Sequence, residues 1–126
     1  MVTRRRLLCA QEARNSERVA GMFRGQRDVH VPPVFHELTT RRVLTMEFVR
    51  GVKPTNAEAL ATLGVSGTEV AAKASRVFGD MIHVHGFVHC DPHPGNLLVR
   101  KDVEGQTQLV RAGHPSPLTS VRCVRC

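Results

Sequence analysis

The apolar positions of this chain fall into two helix-spaced stretches and two pairs of strand-like runs, separated by polar joints. Over residues 69–86, Val70, Ala74, Val77, Phe78, Met81 and Ile82 recur at intervals of three and four, the spacing that gathers side chains into one stripe of an α-helix. Ser66 followed by Glu69 forms a capping-box pattern at its start, and Gly86 supplies a stop. Residues 11–23 form the second helix-like stretch, with Ala13, Val19, Ala20 and Phe23 expected on one side and Arg14, Glu17 and Arg18 outside. Val31-Pro32-Pro33-Val34 then forces an extended path, because proline and the residue before it both avoid helix. Residues 34–38 and 42–49 predict two strands of a hairpin around Thr39-Thr40. Pro54 breaks the chain, and Thr55 with Glu58 predicts the cap of a short helix that runs to Leu63 and closes at Gly64. Leu97 to Val99 and Thr107 to Val110 predict a second hairpin, turning through residues 101–106.

Between the long helix and that second hairpin stands His89-Cys90-Asp91-Pro92-His93-Pro94-Gly95-Asn96. Asp, Pro, Gly and Asn are the commonest turn formers, so one reading is a plain connection between helix and strand. The spacing offers a second reading. Asp91 and Asn96 stand five apart, with His89 two before the Asp, as in the kinase signature H-R-D-x-x-x-x-N. There the Asp orients and deprotonates the acceptor hydroxyl and the Asn holds magnesium. Phosphoryl transfer needs positioning and charge neutralisation more than covalent chemistry, so such a loop must be stiff. Pro92 and Pro94 fix φ near −65°, and Gly95 permits a positive φ just before the metal residue. Helix, the short strand-like Phe87-Val88, a rigid polar loop, then an apolar strand is the order of a kinase C-lobe.

Residues 84–101, Val-His-Gly-Phe-Val-His-Cys-Asp-Pro-His-Pro-Gly-Asn-Leu-Leu-Val-Arg-Lys, closely resemble the catalytic loop of the UbiB, or AarF-domain-containing, atypical kinases. Residues 42–51, Arg-Val-Leu-Thr-Met-Glu-Phe-Val-Arg-Gly, look like the strand and hinge that join the two lobes in that family, and residues 12–19 are similar to its helix before Val31-Pro32. Aminoglycoside and choline kinase-like phosphotransferases carry a related loop, but Pro92 and the 42–51 block favour the UbiB type. The resemblance implies an α+β fold: a partial protein-kinase-like fold, mainly the helical start of a C-lobe with residual N-lobe strands and disordered ends. It divides the chain into an unmatched extension at 1–10, a partial kinase-like domain at 11–110 and an unmatched, disordered tail at 111–126. It further implies a Mg-ATP site with Asp91 catalytic, Asn96 on the magnesium, a hinge at Met46, Glu47, Phe48 and Val49, and His89, Pro92, His93, Pro94 and Gly95 shaping the loop. Members of that family act in quinone and lipid homeostasis, so the resemblance also implies membrane or lipid association and a mitochondrial location, with the cytoplasm as the default if targeting is absent.

Departures from the family pattern limit this. A phosphoryl-transfer site also needs a Lys on the phosphates, a Glu pairing that Lys and a second metal-binding Asp. The first Lys of this chain is Lys53, Arg4 to Cys9 occupy the place of the family's Glu-x-Asp stretch, and Arg111-Ala112-Gly113-His114 stands where an Asp-x-Gly triplet is expected. Asp102 is the only Asp after Asn96 and falls in the predicted hairpin turn. The chain alone is therefore expected to be a catalytically silent fragment; the alternatives are a non-catalytic, partner-binding fragment or a small zinc-binding module.

Charge and composition change this picture little. At 126 residues the chain suits one small domain rather than a two-lobed kinase, and with 4% aromatic residues its core must rest on Leu, Val, Ala, Met and five Phe. The net charge of +7 is concentrated at the ends: residues 1–30 carry +4 and 101–126 carry +2, leaving +1 for the middle. No aromatic residues are interleaved with those basic ends, so there is no stacking platform for a single strand and nucleic acid is not expected as a partner. No apolar run approaches the roughly 20 residues of a membrane span. His83, His85, His89, Cys90 and His93 crowd one stretch and suit zinc chemically, but His83 and His85, two apart, point to different helix faces. Cys123-Val124-Arg125-Cys126 has CxxC spacing without the second pair of a zinc ribbon. With Cys9 and Cys90 far from it, no disulfide framework is expected and a reducing compartment is the default.

Overall fold

A computed structural model describes residues 4–40, 43–87, 96–111 and 121–125, with backbone alone for 4–8, 10 and 121–125. Three helices, α1 (Arg4–Met22), α2 (Ala57–Leu63) and α3 (Gly67–His83), pack with a three-stranded sheet and a separate two-stranded one. The α+β class expected from the sequence is what forms.

Helix α3 starts where its cap dictates. The Ser66 hydroxyl accepts from the Glu69 backbone N–H at 3.1 Å, and Val70, Val77 and Met81 are buried along one stripe. Ile82, predicted on that stripe, is half exposed instead. The helix stops at His83, three residues before Gly86: the N–H groups of Val84 and His85 close on Asp80, and that of Phe87 on Met81. Gly86 adopts φ 59°, a left-handed conformation that glycine takes without strain. Helix α2 is capped by Asn56 rather than Thr55. Its side-chain oxygen accepts from Ala59 N–H at 3.0 Å, and Gly64 closes the other end at φ 70°.

Helix α1 begins at Arg4, seven residues before the predicted start. It carries two stripes rather than one. Cys9 and Ala13, four apart, pack on one cluster, while Val19 and Phe23, four apart, pack on another. Six residues separate Ala13 from Val19, which turns the second stripe about 120° from the first. Ala20 belongs to neither and is exposed, against the single side expected. Cys9 is buried and disulfide-bonded, a pairing of which the sequence carries no sign; its partner lies outside the residues whose side chains are described.

Strands β3 (Leu97–Lys101) and β4 (Thr107–Arg111) form the predicted hairpin, each one or two residues longer than expected. The turn is organised by Asp102, whose carboxylate accepts from the N–H groups of Glu104 and Gln106, both at 2.9 Å, with Gly105 at φ 79°. Strand β1 (Val29–His30), not foreseen, pairs parallel to β4 and gives the order β1-β4-β3. As the central strand, β4 is covered on both faces. Leu109 joins the main cluster with Val19, Phe23, Val77, Met81 and Val99, whereas Val110 packs with Val49 and Leu98.

The first hairpin forms differently from its prediction. Strand β2 (Val43–Glu47) is present, but residues 36–38 coil into a 3-10 turn and only Val34 bridges back, to Met46. Thr39 explains this: its hydroxyl donates to Phe35 C=O at 2.8 Å and accepts from Thr45 N–H at 3.1 Å, taking a ladder donor for itself. Thr45 Oγ1 donates to Leu38 C=O at 2.7 Å and fixes the turn. Within the stretch read as a tail, β5 (Val121–Arg125) lies antiparallel to β2, Val43 opposite Arg125 and Glu47 opposite Val121.

Candidate functional site

The residues singled out from sequence divide between described and undescribed chain. Asp91, with His89, Pro92, His93, Pro94 and Gly95, lies outside the described residues. Asn96 is described: it sits half-buried at the head of β3, immediately before Leu97. Met46 and Glu47 finish β2, and Phe48 and Val49 follow it.

Asn96 and residues 46–49 stand on one scaffold. After Val49, whose side chain packs on Leu98 and Val110, the chain passes Gly51 and binds β3 directly. Val52 N–H donates to Val99 C=O and Val99 N–H to Val52 C=O, both at 2.8 Å. Gly51 makes that approach possible, since a Cβ there would lie 3.0 Å from Leu98 Cβ and 3.0 Å from Val99 O. The segment that follows Val49 is thereby fixed three residues along the strand from Asn96. Glu47 is held from its other side, with His30 Nε2 2.7 Å from its carboxylate and Pro33 C=O accepting from its N–H at 3.0 Å.

An apolar cavity adjoins Asn96. Val31, Val77, Phe78 and Met81 line it together with Asn96 and Arg111, so it lies between α3 and the three-stranded sheet. The approach to the 89–96 loop is gripped by α1: the Arg18 guanidinium lies 4.0 Å from the centroid of the Phe87 ring, and Phe23 meets His85 edge-on at 5.8 Å. Sequence reasoning missed Arg18, Phe87, His30 and Gly51. Only the Gly51 contact left a signal, as the glycine that closes the 42–51 block.

Among the described residues no three His, Cys, Asp or Glu side chains gather to hold a metal ion, and no helix is long and apolar enough to cross a membrane. A model of the ABC1 atypical kinase-like domain matches residues 7–115. The chain belongs to this family. A probable serine/threonine-protein kinase, abkB of Dictyostelium discoideum, is 47% identical over 103 residues, which is 82% of this chain and 15% of that protein. The AarF domain-containing protein kinase 1 of Gallus gallus is 43% identical over 104 residues, and that of Mus musculus 41% over 104. Each of these covers 82% of this chain and 20% of the relative, so the chain spans a fifth or less of the length of these three relatives. No solved structure matches.

Mg-ATP is the group that the kinase-like family suggests, and the donor set fits it only in part. Of the residues that the resemblance implies for it, Asp91 and Asn96 would supply one carboxylate and one amide. Asp102, the remaining Asp on this side of the loop, spends its carboxylate on two backbone N–H groups of the β3–β4 turn. Arg111 ends β4 where the second metal-binding Asp is to be expected nearby, and residues 112–114 read Ala-Gly-His. The residues present therefore do not compose a full magnesium-nucleotide site.

Proposed function

We propose that this ABC1-family chain carries the hinge strand and one half of the metal-binding loop of an atypical kinase or ATPase domain, and that its 126 residues alone do not transfer phosphate. In this reading Asp91 orients and deprotonates the acceptor, Asn96 is a ligand for magnesium, and Met46 to Val49 form the hinge. The observation that supports it best is the pair of hydrogen bonds between Val52 and Val99, which links the hinge segment to the strand headed by Asn96. A link to quinone or lipid homeostasis, at a membrane and in the mitochondrion, belongs to the same proposal and rests on the resemblance alone.

Silence follows from charge. A transferring phosphoryl group spreads negative charge over its oxygens, and that charge must be met by the Lys and by metal held between two protein ligands. One Asp and one Asn position an acceptor without neutralising the group. The test is to incubate the purified chain with Mg-ATP and follow both binding and release of phosphate. Turnover is expected to equal that of an Asp91→Ala variant. Tight, saturable nucleotide binding that disappears in Asn96→Ala, or turnover above the Asp91→Ala level, overturns the silent-fragment reading.

A further inference from the structure

We infer that the apolar cavity between α3 and the three-stranded sheet is a binding site for a short-chain carboxylate, with the alkyl tail inside and the head group on Arg111. The site is separate from the 89–96 motif and stands whether or not the chain binds nucleotide.

The cavity exists because a residue beside it is short. Along α3 the core-facing stripe reads Val70, Ala74, Val77, Phe78 and Met81, and Ala74 contributes a single methyl where its neighbours contribute larger groups. Val19 of α1, Val29 of β1, Val31 just after it, and Leu97 and Leu109 of the hairpin form the other apolar walls. Val19, Val77, Met81 and Leu109 are buried, so the cavity reaches into the main core. The space inside is about 40 Å³, several times the roughly 10–15 Å³ that one water requires. Water is nevertheless a poor occupant, because a buried water seeks about two to four polar partners and these walls are hydrocarbon. An alkyl tail restores the dispersion contacts that walls around a void forgo. The volume suits the end of a short chain rather than a long acyl group.

Polar groups stand at one end only. Leu97 pairs with Arg111 across the hairpin, so Asn96, just before Leu97, and Arg111 mark the same end of β3 and β4. Both are half-buried, which lets an anionic head group stay partly hydrated while its tail is enclosed. The planar fork of a guanidinium matches the two oxygens of a carboxylate. With five N–H donors, Arg111 can serve a ligand while it keeps the contact it already makes within the protein. Apolar walls with a few polar groups at one side are the usual make-up of a small-molecule site.

The test titrates the full chain with acetate, butanoate and hexanoate, following the methyl resonances of Val77, Met81 and Leu109 by NMR and the melting temperature alongside. Each CH₂ that enters the cavity should tighten binding about fourfold, so hexanoate should bind about fifteenfold tighter than butanoate. Hexanol should bind more weakly than hexanoate, and hexylammonium should leave the resonances unmoved. Arg111→Met should lower hexanoate affinity to that of hexanol without changing hexanol itself, a split that a merely structural role for Arg111 would not produce. Ala74→Leu fills the cavity from α3 and should abolish the hexanoate response while keeping or raising the melting temperature. Val31→Leu fills it from outside α3 and should act in the same direction, so the test survives if one filled variant fails to fold. Affinity flat from acetate to hexanoate, hexanoate and hexanol bound equally well, or a hexanoate response that persists in the folded filled variants overturns the site.

Discussion

Replacing Gly51 with alanine probes the contact that sets the spacing between the segment after β2 and β3. The added Cβ would stand 3.0 Å from both Leu98 Cβ and Val99 O, whereas carbon atoms pack comfortably at about 3.5–4.0 Å. One obstacle is backbone and the other is the root of a buried side chain, so neither swings aside as a flexible chain end would. The strands must separate by roughly half an ångström, which stretches the two 2.8 Å bonds between Val52 and Val99. Overpacking of this kind costs about 1–3 kcal/mol. Opposing it, alanine restricts the unfolded chain and returns about 0.4–1 kcal/mol. The steric effect wins, leaving a net loss of about 1–2 kcal/mol. In a small domain each kcal/mol lowers the melting temperature by about 4–8 °C. Thermal and urea unfolding of the two proteins measures the loss, and hydrogen exchange at the Val52 and Val99 amides locates it. An alanine variant at least as stable as the parent, with both amides still protected, would refute the argument that close approach dictates glycine here.

Two further substitutions test local features. Asp102→Ala leaves the N–H groups of Glu104 and Gln106 without the acceptor that organises the β3–β4 turn; both are exposed to water, so a loss of about 1 kcal/mol in urea unfolding is expected, and no change would show the turn is held by Gly105 alone. Reduction should lower the urea midpoint of the parent protein by an amount equivalent to about 2–4 kcal/mol, because the disulfide at Cys9 restricts the unfolded chain. Cys9→Ser should remove the sensitivity to reductant; a midpoint insensitive to reductant in the parent would count against the disulfide's role.

What could be read from the chain tracks how local the cause is. The caps of α2 and α3 come from side chains three residues from the N–H groups they accept, so Ser66 was legible in the sequence. Asn56 was missed by one position because Thr55 offered the same chemistry. The motif at 89–96 announced the family, and the match over residues 7–115 carries the same conclusion. By contrast, the 3-10 turn at 36–38 depends on Thr39 competing for a strand N–H, a choice that propensity alone does not predict.

By itself, the sequence determined the helices, the second hairpin and the residue types of the 89–96 motif, because these follow from periodicity, caps and spacing within a few residues. Only the tertiary structure decided that β1 joins β4 across about eighty residues, that α1 turns one stripe to β2 and another to the main core, and that Arg18 covers Phe87. Those contacts join positions far apart in the chain through packing geometry. Hydrophobic pattern says that a face must be buried, but shape and backbone hydrogen bonding choose the surface that buries it.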